Sequence, residues 1–503
     1  MKIDIHTHTF NLNFVPIAGV LRGASDARLG RKIPVFICNL IENYFHTRTN
    51  DYEVLNKLAD KGLSYEEITN QIASQFSFIA ALPLDLKATF KNSEQEIIDE
   101  AVSEYGNHTL DEIGINGTEA SEFGLSPENT IKEALESSHG LKSQSLAANP
   151  VIVIILARLI KWALQELYKR FLKRYIDWFI FMTRPYKEIT NLMFGHYAKI
   201  DLFVHHDMDM DSWYELGPSK YHPYEKEQVS RTSELARNSK GRLIPFYAYN
   251  PQKGIYNLID AIETKGYGGV KFYPPSGYMP FGNLNVSWNI SNERLYQYCE
   301  EKGVPIFTHC NDHGMEAYEG AGKNSDPDLW EQVLIEHPDL ILCFGHAGGE
   351  KAWFNPDFTG DENEYARKVY ELCVKYKNTY CDMGYFPLIY SKDGVDKLRT
   401  NLLQLFQRPL DGQTRKFDFS DKILYGSDWH MLMQENCYED YFPAFVKLFN
   451  EDQYSEYYKK FFFSNSIRFL QLGNYTERNK DFFLTADGYR YLKSYILGEG
   501  SRS

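Results

Sequence analysis

The feature that most limits how this chain can fold is a repeated pairing of a short apolar run with a helical stretch. The runs are IDLFVHH (200–206), RLIPFYAYN (242–250), GGVKFY (268–273), VPIFTHC (304–310), LILCFGHAGG (340–349), NTYCDMG (378–384) and KILYGSDWH (422–430). Helical patterns separate them at 225–239, 255–265, 292–302, 327–336, 362–376 and 395–406. With the opening MKIDIHTHTF the apolar runs number eight. Eight strands that each feed a helix give an α/β fold, the (β/α)8 barrel, whose active sites lie where the carboxyl ends of the strands meet. A doubly wound open sheet would leave His6 of the first run far from Asp428 of the last, whereas closure brings them together.

Strand ends are where this chain keeps its polar residues. His6 and His8 stand two apart at the end of the first run, so they project from one face while Ile3 and Ile5 take the other. Asp4 shares the face of the two histidines one layer deeper, as a partner of the ligands or as a buried hydrogen-bonded carboxylate. Lys271 lies on the fourth run, His309 ends the fifth, His346 the sixth and Asp428 the eighth.

Neutral imidazoles with a carboxylate suit a divalent metal, Zn²⁺ first, with Mn²⁺, Fe²⁺ or Ni²⁺ also compatible. His6, His8, His309 and Asp428 are the expected ligands. A metal lowers the pKa of bound water from about 15.7 towards ~7. Asp428 would orient that water and take its proton, and His346 would polarise a carbonyl or assist proton transfer.

These residues, together with GVKFYPPSGYMP, FGHAGGE, YGSDW and the closing FFFSNSIRFLQL, resemble the amidohydrolase superfamily of metal-dependent hydrolases. The motifs look like the branch that contains amidohydrolase-related proteins and aminocarboxymuconate-semialdehyde decarboxylase. The resemblance spans residues 1–10 and about 200–472. It implies that Lys271 could be carboxylated and bridge two metals, or stay unmodified beside one. One ion is the expectation, because the motifs look nearest to the mononuclear branch. Unmodified, Lys271 could meet a substrate carboxylate.

Further residues fall in the loops at the same end of the strands. Tyr273, His313, Trp353, Trp429 and His430 are candidates for contact with a small-molecule substrate, with Tyr278 and Tyr385 adding aromatic surface. His205 and His206 end the second run, and one of them could line the pocket.

A formal charge of -14 and a pI near 5.5 argue against a nucleic-acid surface. Seven cysteines with no Cys-x-x-Cys spacing read as reduced core thiols of a cytoplasmic protein, and ligands at positions 6 and 8 are incompatible with a cleaved leader. The barrel is expected over 1–10 and 200–475, a mainly helical insertion over 11–199, and an extension over 476–503. The insertion includes a helix at 64–76 and an apolar, partly basic stretch at 151–182. Arg158 and Lys161 break the uninterrupted ~20 residues that a membrane span needs. A cap or homo-oligomer helix is favoured there over one lying on a membrane surface.

Metal-assisted hydrolysis of an amide, ester or lactone is the expected activity. Decarboxylation of an aromatic or enoic acid is the nearest rival. HTHT and GSD-x-H also look like the polymerase and histidinol phosphatase type of phosphoesterase, which needs further ligands that are not found between His8 and His309. A catalytically idle scaffold is the third rival.

Overall fold

The computed structural model describes residues 1–16, 19–20, most of 101–139, scattered helical positions between 154 and 182, and 184–497 apart from 212, 214–222, 312–313, 356–363, 436–437, 450–453 and 482. The expected helix at 64–76, most of the stretch at 151–182, His313, Cys38 and Cys437 lie outside the described residues.

Eight strands run in chain order around one sheet: β1 (Ile3–Thr7), β2 (Leu202–His206), β3 (Leu243–Tyr249), β4 (Gly269–Phe272), β5 (Ile306–His309), β6 (Leu342–Gly345), β7 (Thr379–Asp382) and β8 (Ile423–Leu424). All seven neighbouring pairs are parallel. The edge between β8 and β1 is joined by Ile5 N–H to the Tyr425 carbonyl (3.1 Å), Asp428 N–H to the His6 carbonyl (2.7 Å) and His430 N–H to the His8 carbonyl (3.2 Å). The fold is therefore a nearly closed (β/α)8 barrel.

Helices Val229–Asn238, Tyr256–Thr264, Val286–Lys302, Asp328–Glu336, Glu364–Lys375 and Gly394–Phe406 occupy the six places where the helical patterns fall. Every strand residue is buried, as parallel strands covered by helices require.

The barrel core is built from Ile3, Ile5, Leu202, Val204, Ile244, Phe246, Phe307 and Leu424, and Phe469, Leu472, Tyr475 and Leu492 join the same cluster from the last helices. Tyr475 OH donates to the Gly266 carbonyl at 3.1 Å, ahead of β4, so these helices cover the amino-terminal ends of the strands. The carboxyl-terminal ends are left for chemistry. Helix Ala486–Ile496, which carries Leu492, is thus part of the barrel's packing.

The strict alternation expected along β1 is broken. The β1–β2 ladder shifts register between Asp4 and Thr7. Ile3 and Ile5 share the cluster of Phe307, and the Phe307 ring also packs 4.6 Å from His6. A bulge re-aims the side chains that follow it, so Ile5 and His6 reach the same interior.

The chain falls into two compact units. One comprises Met1–Val15, Tyr186–Tyr214 and Tyr221–Ser503, the other Pro16–Pro185 and Glu215–Lys220. In the second unit the described residues include helices Gly117–Glu122 and Ile131–His139. Thr130 and Glu133 form a reciprocal cap at the start of the latter: the Thr130 N–H donates to Glu133 Oε2 (2.9 Å) and the Glu133 N–H to Thr130 Oγ1 (3.2 Å). Among the described residues no helix is long and apolar enough to cross a membrane.

Candidate metal centre

At the carboxyl end of the barrel, His6, His8 and Asp428 place one potential ligand atom each within 4.8 Å of one another. Asp428 Oδ1 lies 3.3 Å from His6 Nε2 and 3.2 Å from His8 Nε2. The other ring nitrogen of each histidine is committed. His8 Nδ1 donates to the His206 carbonyl at 2.9 Å, and because a carbonyl only accepts, the proton is on Nδ1 and the Nε2 lone pair faces the centre. His6 Nδ1 meets Asp382 Oδ2 at 3.0 Å, and its buried Nε2 has no hydrogen-bond partner.

Three potential ligand atoms thus face one point. Such a convergence is unfavourable unless a cation or a proton sits there, and two imidazoles with a carboxylate are the donor set of a divalent metal site. Burial and the Lys271 charge hold His6 and His8 well below the usual histidine range, so both are neutral and available. Burial pushes the Asp428 carboxyl up to about 6.

The remaining expected residues take different places. The His346 ring lies 4.8 Å from that of His6, and its Nδ1 donates to the Gly384 carbonyl at 2.9 Å. His309 is outside the three-residue group; its ring packs 4.8 Å from His346 and 4.8 Å from Tyr273. Lys271 is buried inside the barrel, 4.5 Å over the Phe307 ring and 5.8 Å from the Tyr273 ring, and among the described residues Nζ makes no hydrogen bond or ion pair. Burial lowers its ammonium to about 8, against the pull of Asp428 and Asp382. Asp4 Oδ1 accepts from the N–H groups of His6 (3.1 Å) and Ser427 (3.0 Å), which ties β1 to the loop after β8.

Of the two histidines ending β2, His206 is the inner one. Its ring packs 5.1 Å from His6 and 6.0 Å from His8, and Nε2 donates to the Ile5 carbonyl at 2.8 Å. His205 joins a different network with Asp207 (3.0 Å), Tyr186 (2.9 Å) and the Thr9 N–H (3.2 Å).

Two expected pocket residues are packed into the protein interior. Trp353 is fully buried, stacked on Phe419 at 5.7 Å, with Nε1 donating to the Ala347 carbonyl at 3.0 Å. His430 is also fully buried, donates Nε2 to the Phe10 carbonyl at 2.8 Å, and is lowered to about 3 by burial. Both rings are packed into the interior, and Trp353 Nε1 and His430 Nε2 each meet a backbone carbonyl. Trp429 is buried beside His430, with ring centroids 5.6 Å apart.

The sequence reading passed over Asp382, the last residue of β7, although it follows the same rule of a polar residue closing an apolar strand. Backbone strain also concentrates at this end: His346 (φ 61), Ala347 (φ 44), Tyr385 (φ 57) and Asp428 (φ 59) all adopt left-handed conformations that cost non-glycine residues about 1 kcal/mol or more each. They lie in the loops directly after β6, β7 and β8, where packing holds the backbone in place.

The barrel gathers a His-x-His pair from its first strand and an aspartate from the loop after its last, a donor set that suits a divalent metal. Residues 226–472 match the family model described as Amidohydrolase. Over that stretch, which carries β3 to β8, the chain is similar to the amidohydrolase family, and the match indicates an enzyme of that superfamily.

No curated protein matches the chain. Solved structures with a similar fold include an uncharacterised TIM-barrel protein from Bordetella bronchiseptica (15% identity, 57% of this chain and 84% of that one, TM-score 0.37). Another is a putative amidohydrolase from Staphylococcus aureus (14%, 61% and 94%, TM-score 0.36). A third is 2,6-dihydroxybenzoate decarboxylase in complex with 2,6-dihydroxybenzoate (16%, 56% and 87%, TM-score 0.35).

Proposed function

We propose that this enzyme is a metal-dependent hydrolase that directs water at the carbonyl carbon of an amide, ester or lactone in a small molecule. The observation that carries the reading is the convergence of His6 Nε2, His8 Nε2 and Asp428 Oδ1, three potential ligand atoms within 4.8 Å of one another. A divalent ion held there, Zn²⁺ first among the candidates and with His309 as a further ligand, would polarise a carbonyl and make hydroxide available near neutral pH.

The chain supplies the proton chemistry. Asp428, as a carboxylate, accepts the proton of the attacking water and returns it to the leaving group. His346 keeps its proton on Nδ1, facing Gly384, and burial lowers its pKa, so at neutral pH its Nε2 offers a lone pair. It serves as a proton acceptor, and could polarise a carbonyl only after protonation. Tyr273, stacked at 5.7 Å on Trp213, gives one aromatic wall beside His309.

Lys271 favours one second reading. A buried ammonium that makes no ion pair with the described residues suits an anionic substrate group, as decarboxylation of a small aromatic or enoic acid would require. Purified protein is analysed for metal and screened on carbonyl substrates with that metal restored. Released amine or alcohol supports hydrolysis, released bicarbonate replaces it with the second reading, and full turnover in chelated, metal-free protein removes both.

A further inference from the structure

We propose that Asp382 is the positioning residue of this centre, fixing His6 as a ligand through its ring and His346 through its backbone. The inference rests on the metal-dependent reading above. Asp382 closes β7, is fully buried, meets His6 Nδ1 at 3.0 Å through Oδ2, and accepts the His346 N–H at 2.7 Å on Oδ1. One carboxylate therefore spans three strands of the barrel. It holds the ring of a β1 histidine and the amide of the strained residue that follows β6.

The surrounding backbone is cut to fit this contact. A Cβ on Gly426 would fall 2.0 Å from Asp382 Oδ2 and 2.8 Å from His6 Cβ, and one on Gly384 would fall 2.6 Å from His6 Nδ1 and 2.8 Å from Asp382 Oδ2. Only glycine leaves room for the imidazole and the carboxylate to meet.

The chemistry requires an acceptor at both oxygens. With Asp382 accepting on Oδ2, His6 carries its proton on Nδ1 and turns the Nε2 lone pair toward Asp428. An asparagine has one acceptor and one donor, so it cannot serve both contacts. If its NH₂ faced His6, the proton would move to Nε2 and block the ligand position; if it faced His346, two N–H groups would collide.

The test uses the full chain, wild type and Asp382→Asn, each titrated with Zn²⁺ alone against a chromophoric chelator. Asp382→Asn is expected to weaken Zn²⁺ binding about 10- to 100-fold while the metal-free fold, followed by circular dichroism, is kept. Equal affinity in the two proteins overturns the proposal while leaving the metal reading intact. A wild type that takes up no stoichiometric ion overturns the metal reading itself, and the proposal with it. Nitrogen-15 spectra of the wild-type histidines give an independent answer that does not depend on the variant folding. The Nδ1–H tautomer is expected at His6, and an Nε2–H tautomer in the metal-free protein overturns the assignment.

Discussion

Asp428 Oδ1 stands 3.2 Å from Nε2 of His8, and the imidazole brings no proton to that contact because its Nδ1–H is spent on the His206 carbonyl. Two residues from opposite ends of the chain thus share an electrostatic need that neither meets alone.

Replacing both ligands of the first strand, His6→Ala with His8→Ala, is expected to abolish bound metal and activity together. Chelation of the wild type should do the same and lower its melting temperature, since an ion at 100 times its Kd adds about 2.7 kcal/mol to the folded state. Elemental analysis and a thermal scan read both effects. Activity that survives in either preparation would count against the centre.

Asp428→Asn keeps the size of the side chain and removes its capacity to take a proton. We expect kcat to fall roughly 10²- to 10⁴-fold with a smaller change in KM. The acidic limb of the wild-type pH–rate profile should be lost or displaced in Asp428→Asn, because an amide cannot act as a base. An acidic limb that stays unchanged in the variant would remove Asp428 from proton transfer.

Lys271 is expected to be unmodified, with one metal equivalent per chain. Intact mass and metal analysis measure the two quantities directly. Two equivalents with a carboxyl's added mass at Lys271 would replace the single-ion site with a bridged pair.

Glu350 predicts a pH dependence of stability away from the metal ligands. Burial first, and Glu435 second, raise its carboxyl from 4.5 to about 7, while its Oε2 accepts the Leu388 N–H at 2.7 Å. A folded pKa above the unfolded one means that the folded state binds the extra proton. The contribution is therefore full below about 4.5 and is lost as pH rises through about 7. Glu350→Gln should flatten that slope, by on the order of 1–2 kcal/mol after allowance for partial solvent contact. Denaturant midpoints at about pH 5 and about pH 8 decide it. An unchanged slope in the variant would place the effect elsewhere.

Trp353→Ala tests whether that residue belongs to packing or to the pocket. Its buried ring on Phe419 predicts a loss of about 3–5 kcal/mol in stability. Turnover per folded molecule should stay near that of the wild type. A large loss of kcat/KM at full folding would return Trp353 to the substrate site.

Much of the barrel was legible because its signal is local. Runs such as VPIFTHC and NTYCDMG read as strands over the residues that form β5 and β7, and the pattern at 395–406 lies within helix Gly394–Phe406. Side-chain direction was less legible. The register shift in β1 put Ile5 and His6 beside one phenylalanine ring, and only the packing around β2 separated inward His206 from His205 in its network with Asp207. Trp353 and His430 follow strand ends, and loop position alone does not say whether a ring turns toward substrate or toward the protein interior, where both are buried.

The amino-acid sequence by itself determined the order of strands and helices and the polar residue at each strand's end, since hydrophobic periodicity and residue chemistry are properties of neighbours along the chain. Tertiary structure alone decided which of those residues meet. Closure of the sheet set His8 against Asp428, and the β7 position of Asp382 set one carboxylate between His6 and His346. Those contacts depend on register and barrel closure, which sum over the whole sheet and are written in no single segment.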